Sequence, residues 1–172
     1  MVVILGCLLV LMLILYMSKE GCCMYKVKKL DNKNLINDLA LFFHRKWGVP
    51  LEAYVESMLD SLNSSTGVPS WYYVEDNGDI IGGIGVIDND FHKRKDLTPN
   101  ICAVYVKEEY RKQGICRSIF DYAIEDLKKF DIKDVYLITS HTKLYEHLGF
   151  TYYGEIEENN GNLIRCYHRK IR

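Results

Sequence analysis

Residues 104–120 read Val-Tyr-Val-Lys-Glu-Glu-Tyr-Arg-Lys-Gln-Gly-Ile-Cys-Arg-Ser-Ile-Phe. An alternating apolar strand, predicted over 101–106, passes through an Arg-x-x-Gly turn straight into an amphipathic helix, predicted over 114–130. That helix buries Ile115, Ile119, Ala123 and Leu127, with Phe120 and Ile124 widening the stripe. Gly114 supplies a positive φ, or lets a ligand approach the backbone where a Cβ would clash. The N–H groups from about Gln113 to Cys116 have no acceptor inside the helix, so they and the positive end of its dipole converge on one point. Such a point suits a phosphorylated ligand, with Arg111 and Lys112 adding charge. The same residues also describe a plain tight turn with a solvated Arg111. Neither a Walker A loop nor a dinucleotide fingerprint is present.

The rest of the chain surrounds this junction with alternating elements. Residues 25–30 alternate as a first strand, Asp31 offers an N-cap, and Leu35, Ile36, Leu39, Phe42 and Phe43 recur at helical spacing up to Gly48. Pro50 suits the first turn of a second helix carried by Leu51, Tyr54, Val55, Met58 and Leu59. A hairpin of strands 71–75 and 80–87 closes around Asp76-Asn77-Gly78-Asp79, and a polar loop follows at 88–99. Residues 135–139 form the continuous apolar run of a buried, parallel-type strand. A short helix is predicted over 142–148, stopping at Gly149, and strands 151–157 and 163–170 close the chain. The order β-α-α-β-β-β-α-β-α-β-β predicts one layered α/β (α+β) domain over 24–172, and leaves the strand order open. A chain of 172 residues can bury such a core.

Charge and cysteine usage narrow the partners. A net charge of −1 gives no nucleic-acid surface. The six cysteines lack paired metal-ligand spacing, so no metal is expected, and reduced thiols fit a cytoplasmic domain. Residues 1–23 form an apolar leader. Its unbroken run at 2–17 would reach about 24 Å as a helix, slightly under one bilayer core. No Lys or Arg precedes that run, whereas Lys19, Lys26, Lys28 and Lys29 follow it. An inserted helix would therefore tether the domain to the cytoplasmic face of the membrane. A gene-model extension ahead of a start at Met17 or Met24 explains the leader equally well.

About thirty residues beyond the turn stands Leu144-Tyr145-Glu146-His147-Leu148-Gly149-Phe150. With the strand 103–106 and the turn Arg111-Lys112-Gln113-Gly114-Ile115-Cys116, this makes residues 24–172 resemble the GNAT superfamily of N-acetyltransferases. The family's cofactor motif is [Gln/Arg]-x-x-Gly-x-[Gly/Ala] after an apolar strand. Its second signature is a [Phe/Leu]-Tyr-Glu-x-Leu-Gly-Phe helix end. The resemblance implies the GNAT acyl-CoA N-acyltransferase fold: a mixed central sheet of about six to seven strands flanked by helices. Strands 101–106 and 135–139 would lie adjacent and parallel, splaying into a cofactor cleft.

The resemblance also implies acetyl-CoA as co-substrate and assigns roles. The backbone of Val104, Tyr105 and Val106 would pair with the pantetheine arm as with an added peptide strand. Arg111, Lys112, Gln113, Gly114, Ile115 and Cys116 would hold the pyrophosphate. An N–H near Val106 would stabilise the oxyanion. Tyr145 would protonate the departing thiolate, a task suited to a phenol of pKa about 10.

Two positions depart from the family. Cys116 stands where relatives carry Gly or Ala; it either packs plainly or has its pKa lowered by the helix dipole. Asn100 aligns with a position where many relatives carry a Glu that relays the amine's proton, and Asn cannot act as a base. The predicted base is His92, in the loop 88–96, because it titrates near neutral pH. Asp88 and Asp90 are predicted to hold a cationic substrate, against the alternative of an exposed charged loop. His141 is a second candidate base, and Trp47 and Trp71 are expected in the core or cleft wall. The implied activity is acetyl transfer to a primary amine of a small molecule by direct attack, in a monomer or homodimer. A protein or peptide amine as acceptor, or a non-catalytic acyl-CoA sensor, are the alternatives.

Overall fold

The computed structural model describes residues 25–171, so the run at 2–17 and both readings of the leader lie outside the described residues. Among the described residues no helix is long and apolar enough to cross a membrane. The elements in chain order are β1 (Val27–Lys29), α1 (Ile36–Trp47), α2 (Leu51–Ser61), β2 (Ser70–Asp76), β3 (Asp79–Ile87), β4 (Asn100–Val106), α3 (Ile115–Lys128), β5 (Asp134–Thr139), β6 (Thr151–Glu157) and β7 (Leu163–Lys170).

Local signals account for most of the boundaries. Asn32, not the expected Asp31, caps the entry to α1: its Oδ1 accepts from Asn34 N at 2.9 Å. Gly48 ends α1 at φ 70°, donating to His44 O. The helix predicted over 142–148 shrinks to one 3-10 turn, Glu146–Leu148. The Tyr145 carbonyl accepts from both Leu148 N and Phe150 N, and Gly149 turns left-handed at φ 83°. The chain has no room for a second turn.

The seven strands are ordered β1-β2-β3-β4-β5-β7-β6, with every neighbouring pair antiparallel except β4 and β5. That parallel pair touches at one register position, Asn100↔Tyr136, beside a bond from Tyr136 N to Pro99 O at 2.9 Å. Beyond it the strands part, and the sheet opens as a V. On the other edge of β4 the register slips: Gly83 faces Tyr105 and Gly85 faces Cys102, so Ala103 and Val104 together oppose Ile84. Ala103 sits at the bulge with a left-handed φ of 53°. A bulge leaves a residue outside the ladder and bends the strand that carries it.

One face of the sheet packs on α3 through Ile119, Phe120, Ala123 and Leu127; the other packs on α1 and α2 through Leu39, Phe43, Tyr54 and Met58. The glycines of β3 make the second contact possible. A Cβ on Gly85 would meet the Trp71 ring at 2.6 Å and Cys102 Sγ at 2.9 Å; one on Gly83 would meet Tyr72 O at 2.6 Å and Phe43 at 2.9 Å. Bare backbone at these points lets the aromatic layer lie flat on the strand. On the α3 face, Asp126 is buried and accepts from Tyr72 Oη at 2.9 Å and Lys29 Nζ at 2.7 Å, which ties α3 to β1 and β2.

Candidate active site

The V between β4 and β5 encloses a cavity of about 1110 Å³. One wall is β4, with Val104, Tyr105 and Val106; the other is β5 and its exit, with Ile138, Thr139 and Ser140. The predicted turn forms its floor. Arg111 is extended, Lys112 is left-handed at φ 63°, and Gly114 caps α3 at φ 80°. The first bond of α3 runs from Ser118 N to Gly114 O at 3.0 Å, so the N–H groups ahead of Ser118 have no acceptor in the helix. Arg111, Lys112, Gly114, Ile115 and Cys116 all line the cavity. Gln113 does not, and its side chain donates instead to Glu109 O. Arg111 folds back so that Nε donates to Val106 O at 3.1 Å, fastening the turn to the end of β4.

Tyr145 meets this floor from the opposite side. It is buried, lines the cavity, and packs its ring edge-on or tilted against Phe120, Phe150 and Tyr167. Burial pushes its phenol up to about 12, helped by Cys116 and Asp90 and opposed by a hydrogen bond with Thr139. At neutral pH it carries its proton. Cys116 goes the same way: burial pushes its thiol up to about 11 against the pull of Arg117. A dipole-activated Cys116 is thereby corrected, since desolvation outweighs the helix end.

In the loop between β3 and β4 the charged residues Asp88, Lys93, Arg94, Lys95 and Asp96 are exposed, as its sequence suggests, but the loop is anchored by buried contacts that the sequence does not announce. Its backbone crosses to the β6–β7 hairpin: Lys93 N donates to Glu157 O and Asn159 N to Phe91 O, and His92 bridges Glu158. His92 is wholly buried, and its ring is used inside the protein. Nε2 lies 2.9 Å from Asn100 Oδ1, and Nδ1 lies 3.0 Å from Asn89 Nδ2. The residue is absent from the cavity wall. The expectation of His92 as the base is therefore corrected, because a ring bonded on both nitrogens and facing away from the cleft does not meet a substrate.

Asn100 is equally buried; Nδ2 donates to Leu97 O at 2.7 Å and Asp88 O at 3.2 Å. Asp88 is exposed and off the cavity wall, which corrects its predicted substrate role. His141 is exposed at the β5 side of the cavity rim.

Asp90 alone of the loop's predicted residues enters the cleft. Its carboxylate has no hydrogen bond or ion pair among the described residues, and burial, with the charge of Glu158 adding to it, pushes it up to about 6. Phe91 follows at φ 59°, a strained turn for an aromatic residue. Around Asp90 the wall is aromatic: Tyr54 and Trp71 from the core, with Phe91 and Trp47 at 55% and 47% exposure on the rim. Trp71 is held by a bond from Nε1 to Ser57 Oγ at 3.0 Å. The sequence gives no sign of Tyr54 or Glu158 at this site. Tyr54 reads as a helix stripe and Glu158 as a turn residue, and only the tertiary pairing of the loop with the hairpin brings Glu158 in.

The profile of the acetyltransferase (GNAT) family matches residues 32–150. A search of curated proteins gave no match. Solved structures share the fold. A Salmonella typhimurium protein with its cofactor acetyl-CoA superposes with a TM-score of 0.65 at 12% identity, covering 86% of this chain and 94% of its own. An aminoglycoside 6'-N-acetyltransferase complexed with coenzyme A gives 0.65 at 17%, covering 86% and 97%. A GNAT-family acetyltransferase from Streptococcus pneumoniae gives 0.64 at 15%, covering 85% and 100%.

Proposed function

The chain belongs to the GNAT acetyltransferase family, and on that premise we propose that it moves an acetyl group from acetyl-CoA to a primary amine of a small molecule. The observation that carries this reading is the burial of a protonated Tyr145 phenol in the same cleft as the open edge of β4 and the Arg111–Cys116 turn. The N–H groups at the start of α3, with Arg111 and Lys112, hold the pyrophosphate. The free edge of β4 at Val104, Tyr105 and Val106 pairs with the pantetheine arm. That pairing lays the arm along β4, and an N–H near Val106 stabilises the oxyanion. The amine attacks the carbonyl directly, and Tyr145 protonates the departing thiolate. This route calls on no metal and no acyl-enzyme.

A small amine is favoured over a protein amine because the acceptor end is walled by Tyr54, Trp71 and Phe91, and spanned by the loop that pairs with the β6–β7 hairpin. The free thiols of Cys102, Cys116 and Cys166 fit a reducing cytoplasm. A thiol-release assay with acetyl-CoA against a panel of small amines and peptides tests the reading. Release with a small amine is the expected result. Release with peptides alone moves the acceptor class. Binding of CoA without release on any acceptor leaves a sensor module and overturns the enzyme.

A further inference from the structure

We propose that Asp90 is the general base of the reaction, taking the proton from the amine nitrogen as it attacks the thioester. This rests on the transferase reading above and supplies the acceptor for the proton that Asn100 is unable to take. Four observations converge on it. Asp90 lines the cleft that Tyr145 enters from the other side. Its carboxylate meets no cation or donor among the described residues, so its hydrogen-bonding capacity is unspent within the protein. The chain just after it is held: Phe91 O accepts from Asn159 N at 2.8 Å, and the His92 ring is bonded to Asn100. A base fixed in this way need not be recruited when substrate arrives.

The fourth observation is electrostatic. The titratable groups that feel Asp90 are Glu158 from the hairpin, Tyr54 from α2, Cys102 from β4 and Tyr145. None of them is a cation. Burial first, and Glu158 second, lift the carboxyl to about 6, close to the value that general-base catalysis at neutral pH favours. His92, its neighbour, turns inward to Asn100, and Asp88 stays outside the cleft. His141 is exposed on the cavity rim just past the end of β5.

The step balances as follows. The lone pair of the uncharged amine forms the C–N bond while the carbonyl electrons move onto oxygen. The new ammonium gives one proton to an Asp90 oxygen. The oxyanion then re-forms the carbonyl and breaks the C–S bond, and the thiolate takes the Tyr145 proton. Asp90 finally returns its proton through solvent to the phenolate. The products are an amide and free CoA. The charge of Asp90 is the least of the causes that raise Tyr145, so neutralising Asp90 shifts the phenol slightly in the direction of donation.

The test is the pH dependence of kcat and kcat/KM for the wild type, Asp90→Asn and Asp90→Glu, using the best amine of the panel, with CoA affinity measured by calorimetry. The wild type should lose rate on the acid side with an apparent pKa near the Asp90 value of about 6. Asp90→Asn should lower kcat by about 10²-fold or more and flatten that limb, with CoA affinity unchanged within about twofold. Asp90→Glu should keep a limb at a displaced pH and recover part of the rate. If Asp90→Asn keeps the limb and stays within about threefold of wild-type kcat, the proposal is overturned. If that variant fails to fold, an unmoved limb in Asp90→Glu overturns it equally. A wild type that acetylates nothing overturns the transferase reading itself, a distinct outcome.

Discussion

His92 Nε2 lies 2.9 Å from Asn100 Oδ1, with both side chains wholly buried at the point where β4 and β5 make their single contact. An amide oxygen only accepts, so Nε2 carries the hydrogen and Nδ1 accepts from Asn89. This pair fixes the vertex of the V and the loop that carries Asp90 in one network. Asn100→Asp removes the donors to Leu97 O and Asp88 O and sets an ionisable group in their place. It should destabilise the fold by about 1–3 kcal/mol in urea unfolding. The KM for the amine should rise while CoA affinity holds, since the cofactor turn lies at the other end of β4. Equal losses of both would disprove the loop-specific role.

Tyr145→Phe keeps the ring packing against Phe120, Phe150 and Tyr167 and removes the proton. Acetyl transfer should fall by about 10²–10⁴-fold with CoA binding retained. Steady-state turnover beside calorimetric CoA titration separates the two. Wild-type turnover in this variant would remove Tyr145 from the mechanism.

Gly114→Val places a β-branched side chain at φ 80°, where the strain is of order 1–3 kcal/mol, and beside the amides that face the cleft. CoA affinity should drop by at least tenfold, beyond what a modest loss of stability explains. Calorimetry at a temperature where the variant is fully folded measures it, and an unchanged Kd would refute the pyrophosphate assignment.

Asp90 predicts a stability effect of opposite sign to its catalytic one. The carboxyl shifts from 3.8 to about 6 on folding, so between those values the folded chain holds more protons than the unfolded one. Stability therefore falls as pH rises through that window. At pH above the window the buried charge costs the fold on the order of 1–3 kcal/mol. Asp90→Asn should be more stable than the wild type at neutral pH and close to it at acid pH below the window. Urea unfolding of both proteins at the two pH values checks this. A gap that does not change with pH would mean that Asp90 is not desolvated.

Much of this site could be read from local pattern. The turn before α3 and the last two strands fall where periodicity and turn chemistry place them, because each is decided by residues within a few positions; Tyr145 stands out through the resemblance, and the helix expected around it is one 3-10 turn. The loop 88–97 could not be read that way. Its charged composition describes an exposed segment, yet the buried contacts of His92 come from Asn100 and from a hairpin sixty residues further on. Asp90 was visible as a charge but not as a base, because its raised pKa arises from burial and from Glu158. The glycines of β3 likewise carry meaning only once Trp71 and Phe43 are seen lying across them.

A sheet with a gap in its middle has four edges instead of two. Of the outer ones, β1 is three residues long and carries Lys28 and Lys29, which blunt it against pairing. The inner edges, past Asn100 and Tyr136, have only each other and whatever lies between them. The fold thus carries unpaired backbone at its own centre, and binding of CoA there should slow amide exchange along β4 and β5.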